Sequence, residues 1–483
     1  MRGTESETSV VPDESTIRAF RERLRGPLLR PDDAGYDTAR RVWNGLIDRR
    51  PVLIARCTGV ADVIEAVNFA RAHDLLVAVR GGGHGVAGPA VCDGGLVIDL
   101  TPMKGIQVDP EARTARAQAG VTWGELDRET QAFGLATPGG IVSSTGIAGL
   151  TLSGGLSWQR RRDGMSIDNL LSADVVTADG RFLRASGEDK ADLFWALRGG
   201  GGNAGVVTCF EFRLHALGPE VMFLACLYPL EQINHVMNAW RDFVATAPDE
   251  ATVDCLVWGI PDHPAFPETI HGRAVVGLGG MYAGPAPEGE RLFRPLRALG
   301  TPVLDLSGTM TYTDVQRAYD PFFPEGTLRY YWKSLYLDNM SDKAVDAIAT
   351  WARERSSPRT LLSIRHLEGA IGRVPADATA FGDRSAPFLL SIDSTWDEDE
   401  DAERHIDWTR RFWADMQRFS RGAIYFNFPG FLEEGEDLLR TSYGAGYDRL
   451  VEVKNRYDPT NLFRMNQNVK PTGGSRRDAQ SKT

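Results

Sequence analysis

Between residues 51 and 217, apolar and polar positions alternate in short blocks. The run PVLIAR (51–56) is a β-type block. It is followed over 61–73 by Val63, Ile64, Val67, Phe69 and Ala70, which share one face of a predicted helix. LLVAVR (75–80) and LVIDL (96–100) predict two further strands. IQVDPEARTARAQAG (106–120) predicts a hairpin around Asp109-Pro110. A helix is predicted over 122–133, with Thr122 as its N-cap. LLSADVVTADGRFLRAS (170–186) predicts a hairpin turning at Asp179-Gly180, and GVVTCFEFRLHAL (205–217) alternates as a strand.

Beyond about residue 218 the texture changes. Helical periods over 232–245, 342–355 and 402–419 interleave with strand-like runs at 274–283, 327–337 and 360–369. That mixture predicts a second, α+β lobe whose sheet carries helices on one face. A last helix in YDRLVEVKNRYDPTNLF stops at Asp458-Pro459, and the following MNQNV returns to the first lobe. The expected division is an arm over 1–12, a first lobe over 13–217 and a second over 218–440. A returning segment covers 441–471, and a tail covers 472–483. Arm and tail read as flexible.

Glycine alters this picture most. The chain of 483 residues holds 51 glycines, about one in ten against an average of about 7%. Of these, 25 fall between Gly81 and Gly205. Charge alters it less: 54 Lys+Arg against 65 Asp+Glu gives −11, a balance unsuited to nucleic acid or an anionic membrane. No apolar run has the length of a membrane span, and the N-terminus lacks a secretory pattern. Five scattered cysteines have no metal-ligand spacing and read as free thiols in a reducing, cytoplasmic setting. No metal site is expected, and the oligomeric state is not legible.

The glycines concentrate in RGGGHG (80–85), PGGIVSSTGIAGLTLSGG (138–155) and RGGGGNAGVVT (198–208). Bare backbone amides in such loops cradle phosphates or ring edges. None of the three is a Rossmann or Walker fingerprint. Three within 130 residues point to one large polyanionic cofactor.

These segments, with VWNGLIDRRPVLIARC (42–57), DNLLSADVVTADG (168–180), DLFWALRGGGGNAGVVT (192–208) and KNRYDPTNLFRMNQNV (454–469), carry a resemblance. The chain resembles the FAD-linked oxidases of the vanillyl-alcohol-oxidase fold, in the berberine-bridge-enzyme-like group. Within it, the chain resembles the bacterial branch that includes 6-hydroxy-D-nicotine oxidase and flavin enzymes of antibiotic biosynthesis. The implied fold is α+β: a PCMH-type FAD-binding domain of two subdomains, and an α+β substrate domain with an antiparallel sheet.

The resemblance also implies roles. His84 matches the histidine bonded to the 8α-methyl of FAD. Arg80, Gly81, Gly82, Gly83 and Gly85 wrap the diphosphate and ribityl region. Gly139, Gly140, Thr145, Gly146, Gly149, Gly154 and Gly155 line the cofactor and its ring edge. Val207 meets the adenine side. Tyr425 and Asn427 match a Tyr-x-Asn element near the flavin, and Asn466 and Asn468 belong to the closing loop. Many relatives carry a cysteine bonded to flavin carbon 6. Val142 stands at that position here, which implies a single histidyl link. Thr145 stands where relatives have a residue that gates oxygen.

A tyrosine needs a cationic neighbour to act as a base near neutral pH. Lys333 in YYWKSLYL is one candidate, with Tyr331 and Tyr336 as pocket-lining candidates. In the strand-like run 360–369, alternation puts His366 and Glu368 on one face and Ser363 and Arg365 on the other. Either face is a candidate for the catalytic side. The implied activity is an oxidase. Hydride passes from a hydroxylated or amine small molecule, such as a secondary metabolite, to flavin N5, and O2 is reduced to H2O2. The alternatives are an oxygenating flavoenzyme and a flavin-binding protein without turnover.

Overall fold

The apolar blocks of the first half condense into a four-stranded and a five-stranded sheet, with a two-stranded pair of Leu135–Ala136 and His215–Ala216 beside them. A computed structural model describes residues 12–473. The expected arm and tail, apart from Pro12, Thr472 and Gly473, lie outside the described residues. Leu53–Arg56, Leu96–Asp99 and Val77–Arg80 run parallel, with Leu28–Leu29 antiparallel at one edge. The helix Val60–Ala72 makes the crossover, turning Val63, Ala66, Val67 and Ala70 inward. Ile106–Asp109, Thr114–Gln118, Val206–Arg213, Leu170–Val176 and Phe182–Ser186 form the second sheet, which is antiparallel. The helix Trp123–Gln131 begins where expected. The Thr122 N–H and hydroxyl both donate to the Glu125 carboxylate, at 2.8 and 3.0 Å.

The second lobe is an antiparallel eight-stranded sheet. Its central order is Glu220–Pro229, Ala274–Tyr282, Ala251–Gly259, Leu361–His366, Phe388–Trp396, Arg329–Leu337. Helices Ile233–Val244, Asp342–Arg353 and Ala402–Met416 bury Trp240, Ile348 and Phe412 against one face. The other face turns toward the first lobe. A strand covered on both faces loses its polar alternation. Phe388–Trp396 is buried at every position, and for that reason neither it nor Ala251–Gly259 announces itself by period.

The chain then returns to the first lobe. In the helix Tyr447–Tyr457, Leu450 and Val453 join the first core. Lys454 is sealed inside, donating to Asp458 Oδ2 at 2.7 Å and to the carbonyls of Asn203 and Phe463. Ile424, Phe426, Leu438 and Leu439 already belong to that core, ahead of the expected boundary at 441. No described helix is long and apolar enough to cross a membrane. No metal-binding cluster occurs among the described residues.

Candidate active site

Where the two lobes meet, a cavity of about 510 Å³ runs between the glycine segments and the large sheet. The strand Val77–Arg80 ends at its rim, and Gly81, Gly82, Gly83, His84 and Gly85 continue along its wall. Gly140, Thr145, Gly146 and Gly149 supply the second stretch, and Gly202, Gly205 and Val207 the third. The first two segments touch backbone to backbone. A Cβ on Gly82 would stand 2.4 Å from the Gly146 nitrogen.

His84 is fixed by aromatic packing. Its ring lies 4.3 Å from Trp43, 18° from parallel, and Trp43 stacks in turn on Tyr330 at 3.9 Å. Ser144 Oγ is 3.3 Å from His84 Nε2. The ring is half-open to the cavity yet deep in the protein, and burial pushes its pKa down to about 3. The imidazole is therefore neutral, with a nucleophilic lone pair.

Tyr425 forms the other end of the wall. The run IYFNF is a turn rather than a strand: Phe428 N–H donates to Tyr425 O at 2.9 Å. Ser334 Oγ binds both sides of it, accepting from Tyr425 N–H at 3.0 Å and donating to Phe428 O at 3.0 Å. The Tyr425 phenolic oxygen accepts from Gly155 N–H and from Asn427 Nδ2, each at 2.8 Å. With both bonds received, the phenol's own proton is free to point elsewhere. Burial raises the phenol pKa above its usual value, and the two donors and the Arg365 charge offset that rise only in part.

The opposite wall comes from the sheet. Ser363 and Arg365 face the cavity, flanked by Asp254 on one neighbouring strand and Asp393 on the other. Arg160 donates to Asp254 Oδ1 and to His366 O. Burial pushes Asp393 up to about 6, against the pull of Arg365 and the Ser391 hydroxyl. The sequence reading missed Asp254, Asp393 and Arg160. A lone carboxylate inside an apolar block, as in FLLSIDSTW and TVDCLVW, was the available signal.

Several expected site residues lie elsewhere. His366 is on the far face, 3.0 Å from Glu368, with its pKa held down to about 3 by burial and by Arg161 and Arg160. Lys333 is 2% exposed but bonds Glu434, lies 3.6 Å from Glu433 and sits over the Trp413 ring, outside the cavity wall. The cationic neighbour of Tyr425 is thus Arg365. Tyr331 donates to Glu433, and Tyr336 packs behind Tyr425. The Arg80 side chain turns away to Ala39 O, and Gly139 sits against the Trp123 ring. Gly154 and Gly155 support Tyr425 from behind. Asn466 lines the cavity, whereas Asn468 folds back onto Asn466 O.

These walls fit a flavin dinucleotide. Gly149 faces the cavity, and a Cβ there would meet no protein atom within 4 Å, so bare backbone borders open space. Asn466 Oδ1 is buried in the wall without a partner among the described residues. Both are the marks of a surface shaped for a bound group.

The FAD binding domain family matches residues 51–186, and the berberine and berberine-like family matches residues 424–470. The (R)-6-hydroxynicotine oxidase of Paenarthrobacter nicotinovorans is 30% identical over 461 residues, covering 93% of this chain and 98% of that one. An FAD-linked oxidoreductase of Dictyostelium discoideum is 28% identical over 458 residues, covering 94% and 97%. The crystal structure of 6-hydroxy-D-nicotine oxidase from Arthrobacter nicotinovorans superposes with a TM-score of 0.82 at 28% identity, covering 92% of this chain and 98% of that one. With the glycine-lined cavity and the α+β architecture, these likenesses show that the chain belongs to the berberine-bridge-enzyme-like FAD-linked oxidases and is an FAD-binding oxidoreductase.

Proposed function

We propose that the protein oxidises a hydroxylated or amine-bearing small molecule, a secondary metabolite, with O2 as final acceptor and H2O2 as product. Bound FAD supplies the hydride acceptor at N5 and its own reoxidation by O2. The observation that carries this reading is one continuous cavity bordered by both His84 and Tyr425.

His84 is the single covalent anchor in this reading. Its neutral ring is supported as a nucleophile by burial and by the Trp43 stack. The wall holds Val142 and none of Cys57, Cys92, Cys209, Cys226 or Cys255, which leaves no thiol for a second link. In its ionised form Tyr425 takes the substrate O–H or N–H proton as the hydride leaves and becomes the phenol, with Asn427 and Gly155 N–H holding its oxygen throughout. Arg365 supplies the positive charge that favours that phenolate. The backbone of Gly81 to Gly85, Gly140, Thr145, Gly146, Gly149 and Val207, with Asn466, beds the cofactor. Arg80, Gly139, Gly154, Gly155 and Asn468 support that bed from behind. The flavin lobe is 13–217 with the returning segment, and the substrate lobe follows residue 218.

The test is anaerobic bleaching of the yellow protein by candidate metabolites, followed by peroxide counting in air. One peroxide per product supports the oxidase. Oxygen-18 from O2 in the product would replace it with the oxygenating reading, and no bleaching by any candidate would leave a carrier.

A further inference from the structure

The sheet wall of the cavity holds polar groups that the protein itself does not satisfy. Arg365 is buried, and its Nη1 has no partner among the described residues. Ser363 stands two positions earlier on the same strand face, also buried, and its Oγ is likewise unpartnered. Both border the cavity. A buried donor left unmade costs its full desolvation, so native proteins rarely keep one without a ligand or water to receive it.

The surrounding carboxylates pair only loosely with Arg365 and leave its Nη1 unbonded among the described residues. Asp254 lies across the strand from it, but the near contact of Asp254 is with Arg160. Arg365 Nε is left 4.0 Å from Asp254 Oδ2. Asp393, on the other neighbouring strand, receives the Ser391 hydroxyl, feels the Arg365 charge and makes no ion pair among the described residues. The Arg365 guanidinium carbon lies 5.2 Å from the Phe428 ring centroid, a cation–π contact that helps hold it in place. A planar fork with a free N–H and an adjacent hydroxyl matches a delocalised oxyanion better than a lone carbonyl.

We infer that Arg365 and Ser363 form a subsite for an oxyanionic substituent of the substrate, a carboxylate or an ionised phenol or enol. The inference rests on the reading that this end of the cavity takes substrate. It narrows the substrate class to acids that also carry the oxidisable carbon. In this subsite Arg365 binds substrate, and Ser363 completes the donor pair.

Isothermal titration of the oxidised, FAD-loaded protein with benzoate, 4-nitrophenolate and neutral benzamide tests it without turnover. Benzoate or 4-nitrophenolate should bind at least tenfold tighter than benzamide. The tighter of the two acids tells a carboxylate site from a phenolate site. Arg365→Gln should weaken the preferred acid at least tenfold and leave benzamide unchanged. Ser363→Ala, which removes no charge and little volume, should weaken it severalfold with the visible flavin spectrum intact. Equal binding of acids and benzamide, binding of neither acid, or an unchanged acid affinity in both variants would overturn the subsite. The outcome is separable from the proposed activity. Acid binding without bleaching by any metabolite sinks the oxidase reading alone, and bleaching by substrates without acid discrimination sinks the subsite alone.

Discussion

The Trp43 indole lies flat against the His84 imidazole, with 4.3 Å between centroids and 18° between planes. Trp43 is itself tied down, donating from Nε1 to Phe323 O at 3.1 Å and stacking on Tyr330. The pair sets the His84 ring plane before any cofactor arrives. Acid precipitation of the parent protein should carry the yellow colour down. His84→Ala should leave all flavin in the supernatant. Trp43→Ala should slow attachment about tenfold or more while FAD still binds, because the ring loses its orientation. Full and rapid attachment in Trp43→Ala would show that the stack is only packing.

Tyr425 holds two donors on one oxygen, Gly155 N–H and Asn427 Nδ2. Tyr425→Phe should keep FAD content and lower the anaerobic bleaching rate by about 10²-fold, the usual order for a lost general base. The bleaching rate should rise with pH as the phenol ionises. Arg365 lowers that pKa against burial, so Arg365→Gln should move the rising limb to higher pH. Stopped-flow bleaching across a pH series measures both effects. A limb unmoved in Arg365→Gln would remove Arg365 from this role.

The sequence made the flavin lobe legible because its signals are local. RGGGHG ends a strand, Thr122 and Glu125 form a capping box, and Asp179-Gly180 turns a hairpin. The substrate wall was legible only in part. Alternation separated Ser363 and Arg365 from His366, but which face meets the cavity depends on strand order, which no local period encodes. Lys333 misled because a strand lysine near a tyrosine in sequence is bound instead to Glu434, 101 positions away. Asp254 and Asp393 sit on neighbours of one strand that are far apart in the chain.

Asp127 offers a stability test distant from catalysis. Its carboxyl is buried, accepts from Gln316 Nε2 at 2.7 Å, and has one oxygen without a partner among the described residues. Burial pushes its pKa from 3.8 up to about 7. The folded protein then binds more protons than the unfolded chain between about pH 4 and 7. Stability from this group therefore falls as pH rises through that window, by roughly 4 kcal/mol at most. Asp127→Asn keeps an acceptor for Gln316 and removes the titration. Its melting temperature should exceed the parent's at pH 8 and approach it at pH 4. An unchanged difference across that range would rule out a buried, titrating Asp127.

Two glycines of the cavity wall should respond oppositely to the same methyl group. A Cβ on Gly82 would lie 2.4 Å from the Gly146 nitrogen and 2.5 Å from its Cα. Neither backbone has room to give, because Gly82 and Gly146 belong to loops anchored in separate strands and helices. Gly82→Ala should therefore destabilise the protein with or without cofactor, lowering the melting temperature of both forms. Gly149 lies in the helix Ile147–Leu152, and a Cβ there meets no protein atom within 4 Å. Alanine favours a helix interior over glycine by about 0.5–1 kcal/mol, so the cofactor-free protein should gain stability in Gly149→Ala. The same methyl would project into the cavity that Gly149 lines. FAD content after reconstitution should fall at least severalfold, and the rise in melting temperature on FAD addition should shrink with it. Full FAD content in Gly149→Ala would move the cofactor bed away from this helix.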